Sequence, residues 1–236
     1  GDNSYIYGAP YSLDRFGTGT LPINQSNFVV KGSLPDPEYQ IAFELHTMLL
    51  EQRITINELP KAVRQLEIEP VDVNKMKLIY ENNGASLIEI IIETNMQSIN
   101  LFAEHMLTLI GLEKSNIGST ENGISILETF WKEKINTDGL HINDGSGLSR
   151  TNAISAQHYI SLLEYMNKSK YAVEYKKSLP IAGVSGTLKS VCKGQSAQNR
   201  MYAKSGTMSR IKSYAGYIDG KSGKKYAFAL ITNNYE

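Results

Sequence analysis

Tyr202-Ala203-Lys204-Ser205-Gly206-Thr207-Met208 sets a cationic Lys-Ser-Gly-Thr run in apolar, strand-forming sequence near the end of the chain. Its neighbours Arg200-Met201-Tyr202-Ala203 and Tyr214-Ala215-Gly216-Tyr217-Ile218 read as adjacent strands. Lys204 then projects its ammonium from a strand, while Gly206 lets a ligand come close to the backbone. A wall of this kind suits a carboxylate or an acyl group. Turns at Met208-Ser209-Arg210 and Gly220-Lys221-Ser222-Gly223 divide the stretch from Arg200 onward into three runs, which reads as an antiparallel meander.

Outward from that wall, bulk composition narrows the classes available. The 236 residues are 41% hydrophobic and 20% charged, which is globular rather than disordered. Twenty-four basic residues balance 24 acidic ones, so there is no electrostatic footprint for nucleic acid or an anionic membrane surface. No apolar run approaches the roughly 20 residues of a membrane span. Cys192 stands alone, which excludes an internal disulfide and a cysteine-based zinc site. His46 and His105 fall inside helical patterns, and none of the four histidines has a Cys or carboxylate cluster at metal spacing, so no metal is expected.

The character of the chain changes near residue 36. Before it, Tyr5-Ile6-Tyr7-Gly8-Ala9-Pro10 and Phe28-Val29-Val30-Lys31-Gly32 cluster β-formers between turn residues and read as a small β unit. At Asp36-Pro37 a good N-cap precedes a good first helical residue, and Ile41, Leu45, Met48 and Leu49 follow at helical spacing to about Gln52. Residues 54 to 80 resemble short strands and connections interrupted by Pro60 and Pro70. From Ala85 the pattern is helical again, breaks at Thr94-Asn95-Met96-Gln97-Ser98, and resumes until Gly111. Further helices are expected over about 120–135 and 155–166. Ser98 and Asn100 sit where the second helix of the broken pair begins, and either could simply cap it. His141, Asp144 and Ser146 lie too close in sequence to form a catalytic triad.

Three motifs stand in order ahead of that run: Ser98-Ile99-Asn100 running into Leu101-Phe102-Ala103-Glu104, Asp144-Gly145-Ser146-Gly147-Leu148-Ser149-Arg150-Thr151-Asn152, and Ala182-Gly183-Val184-Ser185-Gly186-Thr187-Leu188-Lys189, with Lys204-Ser205-Gly206-Thr207 as the fourth. The series resembles the low-molecular-mass D-alanyl-D-alanine carboxypeptidase/endopeptidase family, penicillin-binding protein 4 type. Gly19-Thr20-Leu21-Pro22 and the run from Phe28 to Pro37 look like the exit from that family's inserted β domain. The resemblance implies an α+β, β-lactamase/DD-peptidase-like transpeptidase fold, incomplete here. Residues 1–36 would be the remnant of an inserted β domain. Residues 37–236 would be the transpeptidase-like domain without its nucleophile-bearing N-terminal segment.

The family's Ser-x-x-Lys, which carries the acylated serine and precedes Ser-x-Asn, is the point of departure. No serine before Ser98 has a lysine three residues on; the spacings Ser190/Lys193, Ser209/Lys212 and Ser222/Lys225 all lie C-terminal to it. The chain is therefore expected to be part of a longer, exported cell-envelope or periplasmic enzyme, itself inactive for want of the nucleophile. By resemblance Ser98, Asn100 and Lys204 are catalytic: Ser98 relays a proton to the leaving amine and Asn100 orients the substrate amides. Ser205 and Lys204 hold the terminal carboxylate, Thr207 gives a backbone N–H to the oxyanion hole, and Gly206, Leu148 and Arg150 also contact substrate. Arg150 could instead bridge surface carboxylates, or bind an acidic peptide side group such as diaminopimelate. The implied partners are peptidoglycan peptides and β-lactams, with no cofactor. The alternatives are a non-catalytic peptidoglycan-binding or scaffold module and a β-lactamase.

Overall fold

The computed structural model describes residues 4–12, 14–66 and 75–235. The chain is α+β and divides into two compact units, Gly1–Glu81 and Asn82–Glu236. In the first unit, β1 (Tyr5–Tyr7) pairs antiparallel with β2 (Phe16–Thr18), with Tyr7 opposite Phe16 and their rings 5.8 Å apart. The run Phe28–Gly32, expected to be β, joins no strand. It passes against Ile6: a Cβ on Gly32 would sit 3.0 Å from Ile6 Cγ2.

Helix α1 (Pro37–Glu51) starts as its sequence dictates. Asp36 accepts a hydrogen bond from the Tyr39 N–H at 3.1 Å and Pro37 occupies the first turn, where its missing N–H costs nothing. The Asp36 carboxylate also takes the Arg64 guanidinium, which lies over the Tyr11 ring at 4.2 Å, and Tyr11 N donates to Pro35 O. These contacts tie α1 to the segment before it. The apolar stripe Ile41, Leu45 and Met48 is exposed. Helical spacing announced the helix, but no residue of α1 is buried. The described part of 54–80 contains a short 3-10 turn, Val63–Gln65, and no strand; Pro70 lies outside the described residues.

The second unit opens with α2 (Leu87–Gln97) and α3 (Asn100–Ser115), followed by α4 (Thr120–Lys132). Gly111 does not end α3, which runs on to Ser115 and stops at Asn116 in the left-handed region, φ 60°. The glycine is there for contact. A Cβ on Gly111 would lie 2.6 Å from Ile117 O, and one on Gly123 of α4 only 2.1 Å from Leu107 O, so the two helix backbones touch through glycines. Helix α5 (Ala156–Lys168) begins with a reciprocal cap: Ser155 Oγ accepts from His158 N and His158 Nδ1 accepts from Ser155 N. That bond gives the buried His158 a structural task. Helix α6 (Ala172–Ser178) follows.

The sheet is the meander β3 (Met201–Met208), β4 (Ile211–Asp219), β5 (Lys225–Asn233), with Lys204 opposite Ala215 and Gly206 opposite Ser213. Alternation gives it two apolar faces. Met201 and Ala203 pack with Ala182 and Leu188; Tyr217 packs with Leu163 and Leu179, and its hydroxyl donates to Leu163 O at 2.7 Å, fixing the sheet to α5. Among the described residues no helix is long and apolar enough to cross a membrane.

Candidate active site

Helices α2 and α3 are separated by Ser98 and Ile99. Ser98 is the C-cap of α2 in the left-handed region, φ 57°, and its N–H bonds back to Thr94 O. A non-glycine residue held there carries strain of order 1 kcal/mol, and such strain gathers where a side chain must be aimed. Ile99 is the N-cap of α3, without a side-chain cap bond, so neither Ser98 nor Asn100 caps that helix. The Ser98 hydroxyl instead accepts from Lys204 Nζ at 2.8 Å, across 106 residues of sequence. Asn100 opens α3 with its side chain exposed, and its amide bonds to no other described residue.

Lys204 also donates to Ser205 O at 2.7 Å. It is half-buried, and that burial pulls its ammonium below the ordinary lysine pKa. Among the described residues no carboxylate pairs with it. The wall therefore carries a partly desolvated positive charge whose protein partners are neutral oxygens. Gly206 lies on the strand between Ser205 and Thr207. Its missing Cβ also leaves room for a neighbouring hydroxyl, since a Cβ there would lie 2.6 Å from Ser213 Oγ.

The free edge of β3 completes this wall. Ala203 N donates to Pro180 O and Ala182 N to Met201 O, so the first half of the edge is covered by Pro180–Ala182. In an antiparallel ladder alternate residues turn their backbone groups to the same side. Ser205 and Thr207 thus present theirs beyond the covered part, where no described strand pairs with them, and Thr207 is exposed.

The glycine-rich loop folds around two carboxylates. Asp144 accepts from Gly147 N at 2.8 Å, Ser149 N at 2.6 Å and Asn152 Nδ2 at 2.8 Å. Burial pushes the Asp144 pKa up, but the Asn152 amide and the loop N–H groups outweigh it and hold the carboxyl below its usual range. Glu104, one turn on from Asn100 along α3, accepts from Gly145 N at 3.0 Å and Ser146 N at 2.9 Å. Only glycine fits at 145, where a Cβ would sit 2.5 Å from Ala103 O. With these bonds made, Asp144 and Ser146 do not join His141 in a triad. Leu148 and Arg150 stand exposed on the loop. Neither hydrogen-bonds to Ser98 or Lys204, and Arg150 makes no ion pair with any described carboxylate.

A fourth element joins the site. The Ser205 hydroxyl donates to Thr187 Oγ1 at 2.9 Å, which joins β3 to the 3-10 turn Gly186–Leu188. Ser98, Lys204, Ser205 and Thr187 are thus gathered by hydrogen bonds, with Asn100 one turn from the Glu104 clasp. Thr187 and Glu104 both lie inside quoted motifs. Their signals were an i, i+4 spacing from Asn100 for Glu104 and a hydroxyl beside the apolar Leu188 for Thr187. Among the described residues no cluster of three or more His, Cys, Asp or Glu could hold a metal ion. The three Ser-x-x-Lys spacings sit in turns or beside them: Ser209 and Ser222 lie between strands, and Ser190 follows the 3-10 turn.

Residues 14–236 match the family model described as the D-Ala-D-Ala carboxypeptidase 3 (S13) family. The chain is 29% identical over 240 residues to a D-alanyl-D-alanine carboxypeptidase of Actinomadura sp. (strain R39), covering 99% of this chain and 44% of that protein. It thus spans less than half the length of that relative. Penicillin-binding protein 4 from Haemophilus influenzae superposes with a TM-score of 0.60 at 24% identity, over 63% of this chain and 34% of that one. A predatory endopeptidase from Bdellovibrio bacteriovorus, acylated by penicillin G and in complex with its immunity protein, superposes at 0.51 and 23% identity, over 64% and 40%. The α+β architecture is therefore that of penicillin-binding protein 4, with part of the domain represented.

Proposed function

The chain belongs to the D-Ala-D-Ala carboxypeptidase 3 (S13) family, and on that premise we propose that it supplies the substrate-facing walls of a serine D-Ala-D-Ala carboxypeptidase or endopeptidase. Its substrates would be peptidoglycan stem peptides, which puts its place of action in the periplasm or cell envelope. The observation that carries this reading is the 2.8 Å bond between Lys204 Nζ and Ser98 Oγ. It sets a cation and a hydroxyl beside an open strand edge, an arrangement suited to receiving a terminal carboxylate and passing a proton to a leaving amine.

An extended peptide can add to the β3 edge through the backbone groups of Ser205 and Thr207. The Lys204 charge and the Ser205 hydroxyl then receive its carboxylate. The attacking serine and its lysine belong to the Ser-x-x-Lys segment, for which no fitting residues stand before Ser98 here. As the serine adds to the carbonyl, Thr207 N–H stabilises the oxyanion, a donor whose loss costs about 3–4 kcal/mol. When the tetrahedral intermediate collapses, the C–N bond breaks and the leaving amine needs a proton. Ser98, bonded to Lys204, can pass its own proton to that nitrogen and take one from the ammonium. The Asn100 amide orients the substrate's peptide groups, and Leu148 and Arg150 border the peptide on the loop side.

Release of D-alanine from a peptide ending in D-Ala-D-Ala by the whole protein tests this. Hydrolysis that disappears in Lys204→Met supports the proposal. Tight peptide binding with neither release of D-alanine nor cleavage of a cross-linked stem peptide would instead make this a peptidoglycan-binding module.

A further inference from the structure

The 3-10 turn Gly186–Leu188 is pinned from several sides. Leu188 is fully buried against Met201 and Ala203, and Gly183 N donates to its carbonyl. Ser185 Oγ accepts from Ile181 N at 3.1 Å. Gly186, at φ 56°, passes so near the end of α2 that a Cβ would lie 2.8 Å from Met96 O, two residues before Ser98. The turn therefore rests on both the β3 wall and the helix end that aims Ser98. Only the Thr187 side chain points out of it, exposed, to meet Ser205 Oγ at 2.9 Å. A hydroxyl on so rigid a support can fix the direction of its partner.

We infer that Thr187 is a positioning residue that orients the Ser205 hydroxyl toward the substrate's terminal carboxylate. The inference rests on the peptidase reading above and adds a residue to it. A carboxylate is acceptor-only, so Ser205 must give it its single proton; the Ser205 lone pairs then accept from whichever donor is in reach. Thr187 is that donor. The pair reverses from Ser205-to-Thr187 in the free protein to Thr187-to-Ser205-to-carboxylate in the complex, and each bond of such a chain polarises the next. No covalent bond changes in this step. Lys204 supplies the charge, and in the complex Thr187, by donating to Ser205, holds the rotor state whose proton faces the carboxylate.

The test uses the whole protein and two peptide substrates, one ending in a free D-Ala-D-Ala carboxylate and the same peptide as its C-terminal amide. Thr187→Val removes the donor and keeps the shape. Loss of one hydrogen bond of this kind should raise KM for the carboxylate peptide about three- to tenfold and leave kcat within about twofold. Thr187→Ser should restore the wild-type KM. On the amide, wild type and Thr187→Val should agree within about twofold. If Thr187→Val loses its thermal transition, Thr187→Ala carries the same test from an equally exposed site. An active wild type whose KM for the carboxylate peptide is unchanged by the substitution overturns the role of Thr187 alone. A wild type that hydrolyses neither of these peptides nor a cross-linked stem peptide overturns the peptidase reading and this role with it.

Discussion

The clasp of Glu104 on the glycine-rich loop gives a perturbation whose size can be worked out. In Glu104→Gln one carboxylate oxygen becomes an amide nitrogen, so whichever of Gly145 N–H and Ser146 N–H faces it loses an acceptor and meets a donor. A hydrogen bond to a charged group contributes about 1.5–3 kcal/mol, and the bond that survives becomes the weaker neutral kind. At 1.4 kcal/mol per decade, that range raises the local opening equilibrium of the loop roughly 10- to 150-fold. Gly145 is exposed, so water takes up part of the loss and the lower end, about tenfold, is expected. Native-state amide exchange reads this directly. Gly145 and Ser146 should exchange about tenfold faster, while Ser149, whose acceptor is Asp144, should change less. Amides of the β3–β4 ladder should not move. Unchanged protection at Gly145 and Ser146 would refute the clasp, and so would acceleration spread evenly over the whole unit.

Gly123→Ala should destabilise the unit, because a Cβ would lie 2.1 Å from Leu107 O and must force α3 and α4 apart. Overpacking of this kind costs about 1–3 kcal/mol, more than the roughly 1 kcal/mol that alanine returns in helix propensity. A lower urea midpoint at constant m-value is the expected result, and a more stable variant would contradict it. Lys204→Met should abolish D-alanine release yet raise stability at neutral pH. The sign follows from the lowered pKa: the unfolded chain holds its proton more tightly, so the cost of burying the ammonium is present below the folded pKa and fades as pH rises toward 10.5. A wild-type stability curve that does not rise across that window relative to Lys204→Met would count against the burial of Lys204.

The meander and most helices were legible because their signals are local. Asp36-Pro37 states a helix start in two residues, and the turns at Ser209-Arg210 and Gly220–Gly223 punctuate three alternating runs. What failed was information carried by partners. Gly111 reads as a helix end only until the start of α4 is known to lie against it. Phe28–Gly32 has strand composition but pairs with no strand, and the apolar stripe of α1 announces a helix whose side chains stay exposed. In the site, motif order singled out Ser98 and Lys204, which the fold brings within a hydrogen bond. Glu104 and Thr187 escaped because their tasks are defined by atoms 41 and 18 residues away. The Asp144–Asn152 loop was visible as a motif, but its two-carboxylate scaffold was not.

The claim on which the rest depends is that residues 1–236 furnish the walls of a penicillin-binding serine peptidase and not its nucleophile. Treating the whole protein with a fluorescent penicillin, digesting it and mapping the acylated serine by mass spectrometry tests that claim most directly. The account predicts one adduct, on a serine of a Ser-x-x-Lys segment outside residues 1–236, and none on this chain by itself. An adduct on Ser98, Ser190, Ser209 or Ser222, or covalent labelling of this chain alone, would contradict it.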